Sequence, residues 1–372
     1  MKIDALQLYD FRNYASAAVH LHPGVNLIVG ENAQGKTNLL ESVFYLSTGR
    51  SFRTARGQEL IRFGAEFADL ECRLHSGGRE QSLRAVLFSG RRPRQIYIGG
   101  VKQRSAANLP GVLTTVLFCP DDLLILKSGA ACRRKLIDTA LCQLRPGYAQ
   151  ALGEYQKLLD SKARILKDYH DRPSLLEPLP EFNLRMAQVG AILIFYRARY
   201  LRELSQQAGL YHEEFSGGRE TLTLDYQTVS TVTDPFAEKA VLFAQLAEHQ
   251  KQHARAELES GQCLSGPHKD DFEAKLGELS VKSFGSQGQT RTAAISLKLA
   301  ERELFRRDTG EEPVLLLDDV LSELDAKRQD FVLNQIKTGQ VLITCCEPER
   351  LTDVGKKILI EHGQIREDAA CI

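Results

Sequence analysis

Gly30-Glu31-Asn32-Ala33-Gln34-Gly35-Lys36-Thr37 follows directly on the apolar run at residues 25–29 and leads into the stretch Asn38 to Leu46, which reads as a helix. Two glycines, a lysine and a threonine at this spacing, between a buried strand and a helix, form the phosphate-binding loop pattern. Glycines let the backbone wrap until its N–H groups face phosphate oxygens, and the helix N-terminus adds partial positive charge. Lys36 would then reach the outer phosphates, and Thr37 would ligate a magnesium ion. The stretch is expected to hold a nucleoside triphosphate.

Such a loop needs an acid to position the metal, at the end of a neighbouring apolar strand. The run ending in Asp318 and Asp319 (residues 314–319) supplies it. Asp318 would hold Mg2+ through its water shell and Asp319 would orient the attacking water; the plainer alternative is that both acids cap a helix. Phe284-Gly285-Ser286-Gln287-Gly288-Gln289 stands just before a helix and about 25 residues before the acidic strand. It has the order and place of the signature loop of ABC ATPases, and Ser322-Glu323-Leu324-Asp325 follows the acids as that family's D-loop does. This resemblance implies ATP as the nucleotide and two paired heads, in which Ser286, Gly288 and Gln289 of one subunit cap the γ-phosphate held by the other.

The elements that must position these groups are partly legible. Residues 3–9 read as a strand whose two alternations, Ile3/Ala5 and Leu6/Leu8, are out of phase. Short alternating runs at 67–74, 82–88 and 95–98, split by Ser-Gly-Gly and Ser-Gly, predict a small antiparallel sheet. From 182, Phe182, Met186, Val189, Leu193, Tyr196, Tyr200 and Leu204 recur at helical spacing, predicting an amphipathic helix of about 25 residues. Stretches 151–167 and 236–248 behave similarly, so 130–260 reads as a helical lobe, broken by a Pro-rich loop at 171–180 and a short strand at 221–226. Strands return at 272–276 and 279–281, then a helix near 290–307, a buried strand at 314–317, a helix, a strand at 341–344 and a closing hairpin at 358–365. That order argues for an α/β core.

Charge is segregated. Residues 50–104 hold twelve Lys or Arg against five acids, an excess of seven in a chain whose formal net charge is zero. Positive charge gathered in this way suits a polyanion, because each phosphate contacted releases condensed counterions; arginines coating solvated strand edges are the bland alternative. Arg91, Arg92 and Arg94 on these hairpins are the expected contacts of that polyanion, which the family resemblance given below implies is DNA. The eight cysteines show no zinc spacing and are expected to be reduced. No apolar run approaches the roughly 20 residues that span a bilayer, and residues 1–10 lack a signal peptide's apolar core. A cytoplasmic location without membrane contact is therefore expected.

Taken together, these motifs resemble the RecF family of bacterial recombination mediators, whose members resemble SMC heads. The resemblance rests on Phe11-Arg12-Asn13-Tyr14, the phosphate loop with Asn38-Leu39-Leu40-Glu41, Thr48-Gly49-Arg50-Ser51-Phe52-Arg53, Ser265-Gly266-Pro267-His268-Lys269-Asp270-Asp271, the Ser-Gln-Gly-Gln loop, and the acids with their D-loop. It implies an α/β fold: an ABC-type ATPase head with an antiparallel β subdomain and an inserted α-helical lobe. Expected boundaries are 1–130, 131–262 and 263–372. The implied function is a weak, DNA-dependent ATPase whose ATP-bound homodimer clamps double-stranded DNA near single-strand gaps. With RecO and RecR it would promote RecA loading in repair, replication restart and the SOS response. Arg12 would reach the phosphates or pack beside the loop. His268 would handle protons or order its loop. Asp319 stands where the ABC pattern has glutamate, and Thr344-Cys345-Cys346 where it has a switch histidine; both departures favour slow hydrolysis. A small-molecule phosphotransferase and an ATP-controlled protein scaffold are the rival readings.

Overall fold

The structure, a computed structural model, describes residues 1–346 and 355–367. The chain divides into two units, one made of Met1–Leu123 with Lys298–Ile372 and the other of Leu124–Leu297. Cys371 lies outside the described residues.

The first unit contains two sheets with a helix between them. β1 (Lys2–Phe11) pairs antiparallel with β2 (Tyr14–His20) and with β4 (Phe67–Ser76), and the sheet continues through β5 (Arg79–Phe88), β6 (Gln95–Ile98) and β7 (Val101–Lys102). The phase break in β1 is a register shift between Ile3 and Ala5. One extra residue there turns Ile3, Leu6 and Leu8 toward the same core, as a β-bulge does. β2 is absent from the sequence expectation, because at the sheet edge it buries only Tyr14 and Val19 and its alanines give no alternation.

The central sheet runs in the order β15 (Gln364–Glu367), β14 (Lys356–Glu361), β3 (Val25–Val29), β13 (Val341–Cys345), β12 (Val314–Asp318) and β8 (Thr115–Phe118). All neighbours are parallel except β14 and β15. β3, β13 and β12 therefore lie side by side with their C-terminal ends together, where open α/β sheets bind ligands. Helix α1 (Lys36–Thr48) is buried almost all round, including its polar residues Glu41, Ser42 and Ser47. Leu39, Leu40, Val43, Phe44 and Leu46 join one core with Leu70, Leu74 and Leu83 of the antiparallel sheet and Ile28, Leu316 and Leu342 of the central one. Helix α8 (Ala326–Gln335) follows β12.

In the second unit, α2 (Ala130–Leu144), α3 (Pro146–Asp168), α4 (Leu179–Ser216) and α5 (Lys239–Ser260) pack with a three-stranded sheet of β9 (Leu222–Gln227), β10 (Asp271–Leu276) and β11 (Leu279–Ser280). The short helix α6 (Val281–Phe284) leads into α7 (Gln287–Thr309), which continues along the chain into the first unit. α4 has 38 residues, longer than its sequence periodicity suggested. The residues of the 265–271 motif organise this unit from inside: buried Asp270 accepts from Arg197 at 3.2 Å and from the Thr228 hydroxyl at 2.7 Å, while Arg133 grips Asp271 at 2.6 and 2.7 Å.

Candidate nucleotide site and signature loop

The loop at 30–37 is clamped from two sides. At its start, a Cβ on Gly30 would lie 2.4 Å from the carbonyl oxygen of Ile360 on β14, so only glycine fits. At its end, the fully buried Tyr14 donates its hydroxyl to Gly35 O at 2.9 Å, and Asn13 Nδ2 donates to Gln34 O at 2.7 Å. The tip of the β14–β15 hairpin closes the other side, with Gly363 N donating to Gln34 O at 3.2 Å. Ala33 adopts a left-handed φ of 64°, which turns the backbone inward. The turn joining β1 to β2 is thus a brace for the loop.

Lys36 is buried with its ammonium in the loop, donating to Gly30 O at 2.6 Å and Glu31 O at 2.9 Å, with Cys346 Sγ at 3.2 Å. Cys346 Sγ in turn donates to Asn32 Oδ1 at 3.1 Å. Thr37 Oγ1 donates to Asp318 Oδ1 at 2.9 Å. Thr344 Oγ1 donates to the same oxygen at 3.0 Å and accepts the N–H of Asp319 at 2.8 Å. Burial pushes the Asp318 carboxyl above the ordinary aspartate value, the two hydroxyl donors partly offset that rise, and the Asp319 charge adds to it. Asp319 itself has a left-handed φ of 52°, and Ser322 Oγ donates to its carbonyl at 2.6 Å. A carboxylate and a hydroxyl meeting beside an anion cradle are hard oxygen donors that fit magnesium, which completes its octahedron with phosphates and water. Among the described residues no cluster of three His, Cys, Asp or Glu could hold a metal alone.

Arg12 is engaged with the protein. Its guanidinium forms two 2.8 Å hydrogen bonds to the fully buried Glu41 and one of 2.7 Å to Glu59 O, and Ser51 also donates to Glu41. The packing alternative describes its observed contacts. Asp325 caps α8 by accepting Arg328 N at 3.0 Å; this hydrogen bond chiefly lowers its pKa, and the Arg328 charge adds to the effect.

The signature-like loop belongs to the second unit. Ser286 Oγ accepts Gln289 N at 3.2 Å, and Gln289 Oε1 accepts Ser286 N at 2.9 Å, a reciprocal capping box at the start of α7. Gln289 Nε2 donates to Glu220 Oε1 at 2.7 Å, and this bond is the main reason the Glu220 carboxyl titrates below its usual range. Ser286 is exposed at the helix N-terminus, and Gly288 lies in its first turn. His268 is bonded at both ring nitrogens, Nδ1 with the Tyr155 hydroxyl at 2.8 Å and Nε2 with Cys263 O at 3.0 Å. Burial pulls its pKa down to about 4, so the ring is neutral and orders the loop. Of the basic trio, Arg91 is exposed, Arg92 stacks 4.1 Å over Phe88, and Arg94 reaches back to Gly49 O and to Tyr45 Oη at 3.0 Å.

Two positions have more structural work than the sequence suggested. Thr344 stands where a histidine is expected and holds the acidic strand end; a hydroxyl residue closing a buried strand next to the acids is the signal for it. Tyr14 anchors the phosphate loop, and its signal is a large aromatic in a short polar turn.

A profile described as the RecF/RecN/SMC N terminal domain matches residues 2–366. A DNA replication and repair protein RecF of Acetivibrio thermocellus is 36% identical over 355 residues, covering 94% of each chain. The chain belongs to the RecF family. A RecF of Staphylococcus carnosus is 38% identical over 338 residues, covering 91% of this chain and 90% of that one. A solved RecF with ATP, described as a recombination mediator protein in the RecFOR pathway, superposes with a TM-score of 0.91 at 32% identity, covering 99% of this chain and 97% of the other. An Smc head domain from Pyrococcus furiosus, at 17% identity and TM-score 0.56 over 98% of this chain and 95% of its own, shares the fold. The RecF-family fold here is an ABC-type ATPase head with an antiparallel β subdomain and an inserted helical lobe.

Proposed function

We propose that this chain is an ATP-dependent recombination mediator whose ATP-bound homodimer clamps double-stranded DNA at single-strand gaps. With RecO and RecR it promotes RecA loading in repair, replication restart and the SOS response, and slow ATP hydrolysis releases it. Its place is the cytoplasm, and among the described residues no helix is long and apolar enough to cross a membrane. The observation that carries the reading is the convergence of the Thr37 and Thr344 hydroxyls on one Asp318 carboxylate oxygen at the mouth of the phosphate loop. RecF relatives bearing the name DNA replication and repair protein, and a RecF solved with ATP, support it.

In this mechanism residues 30–37 hold the triphosphate. Lys36 leaves its carbonyl partners for the outer phosphates; Thr37 would ligate magnesium and Asp318 would hold it through its water shell. The metal, when bound, neutralises charge on the phosphates. Asp319 orients the attacking water; its short side chain and the absence of a switch histidine keep turnover slow. Ser286, Gly288 and Gln289 present a helix N-terminus and a hydroxyl to the partner subunit's γ-phosphate, an anion such donors suit. Asp325 sits beside that same interface. Arg91 and Arg92 contact DNA phosphates, while Arg94 braces the end of α1.

Two variants test the reading. Ser286→Arg is expected to bind ATP as a monomer. Changing Arg91 and Arg92 to glutamate is expected to weaken DNA binding and flatten its salt dependence. Dimerisation of the Ser286 variant would favour a small-molecule phosphotransferase, and DNA binding indifferent to both arginines and salt would favour a scaffold that leaves DNA alone.

A further inference from the structure

Outward positions on an antiparallel sheet are ordinarily polar, yet one row on the six-stranded sheet is aromatic. Tyr9 on β1 is 48% exposed and Phe67 on β4 is 38% exposed, with ring centroids 5.7 Å apart and planes at 30°. Phe67 stands directly opposite Phe88 on β5, so the two share a face. The Arg92 guanidinium lies 4.1 Å over the Phe88 ring. Tyr9, Phe67, Phe88 and Arg92 therefore form a continuous row across three neighbouring strands. Beside the row, the loop before β4 carries Phe63, which is fully exposed. That loop is pinned to the strands by Arg62 N donating to Asp10 O at 2.8 Å and Ser89 N donating to Glu66 O at 2.9 Å. The Tyr9 and Phe67 rings are thus held by sheet pairing and presented to solvent, and Phe88 is half-buried beneath Arg92.

A partner for this row must be flat and apolar on its face and anionic at its edge, because Phe67, Phe88 and Arg92 sit within the segment, residues 50–104, that has twelve basic residues against five acids. Unpaired bases have both properties: every base has a π-face that stacks on an aromatic ring, and each carries a phosphate. Duplex DNA keeps its base faces inside the stack, so it offers such a row only phosphates. The geometry points to the Tyr9–Phe67–Phe88–Arg92 row as a stacking platform for unpaired bases of a DNA strand, giving the clamp its preference for gaps. This rests on the reading that the chain binds DNA.

The full chain, with ATP and magnesium, would be titrated with blunt duplex, gapped duplex and single-stranded DNA carrying 2-aminopurine in the unpaired segment. The variants are the double change Tyr9→Ser with Phe67→Ser, and Phe67→Tyr as the stacking-competent control. Both positions are exposed, and circular dichroism checks the fold. The parent is expected to quench 2-aminopurine and prefer gapped DNA; the double variant loses the quench and about tenfold in gapped and single-strand affinity, with duplex affinity within twofold. Phe67→Tyr keeps both. A folded double variant that retains the quench and the gap preference would overturn the platform, as would one that loses only self-association. If the parent binds no DNA of any form, the DNA-binding reading fails first.

Discussion

Asp318 and Thr344 face one another in register on β12 and β13, and the threonine hydroxyl donates to the carboxylate at 3.0 Å while receiving the Asp319 N–H at 2.8 Å. One hydroxyl thus fixes both acids. Replacing Thr344 with valine keeps the β-branched shape and removes the donor. A hydrogen bond to a charged group contributes about 1.5–3 kcal/mol, so ATP hydrolysis is expected to fall about tenfold or more. Nucleotide binding by the Lys36 loop should persist. Steady-state turnover beside equilibrium binding of a fluorescent ATP analogue checks the split.

Tyr14→Phe removes the buried hydroxyl that braces Gly35 O. Gly35 O keeps the Leu39 N–H at 3.1 Å, so the loss is one hydrogen bond, about 0.5–1.5 kcal/mol, felt in loop position as well as stability. A several-fold loss of ATP affinity with a lower melting temperature is expected. Unchanged affinity would mean that the loop holds its shape without the brace.

Asp270→Ala leaves the buried Arg197 without one of its two carboxylate partners, Asp138 remaining at 2.9 Å. Removing one side of a buried ion pair costs about 3–5 kcal/mol. Loss of the α4 and β9 region from native-state hydrogen exchange protection, ahead of the six-stranded antiparallel sheet, is the expected signature.

His268 gives a pH signature. Its folded pKa of about 4 lies below the usual histidine value near 6.5, so the unfolded chain binds the extra proton in between. The stabilisation is complete above pH 6.5 and is lost as pH falls toward 4, by about 3 kcal/mol. His212 and His249 are lowered in the same sense, each mainly by burial. His268→Gln should flatten the fall between those pH values without removing it, as read from urea midpoints.

What was legible in the sequence is what local pattern determines. The phosphate loop, the acidic strand end and the alternating hairpins have their information within a few residues of each other. Even the phase break between the Ile3/Ala5 and Leu6/Leu8 alternations was visible, and its cause is the bulge between Ile3 and Ala5. Long-range relations were not legible. β2 and the four-residue β8 carry too little pattern to stand out, yet they close the edges of their sheets. α4 continues past Gly209 because a Cβ there would lie 3.2 Å from Leu222 O, so the glycine admits β9 rather than ending the helix. At the site, the partners of Tyr14, Arg12 and Thr344 lie 21, 29 and 26 residues away along the chain, beyond the reach of spacing arguments.

The ATP-driven clamp is tested most directly by solution mass from light scattering, with ATP and magnesium, with and without duplex DNA, for the parent chain and for Lys36→Met. The parent is expected to form dimers that retain DNA, and the variant to do neither. A parent chain that stays monomeric with nucleotide bound and DNA present would contradict the clamp.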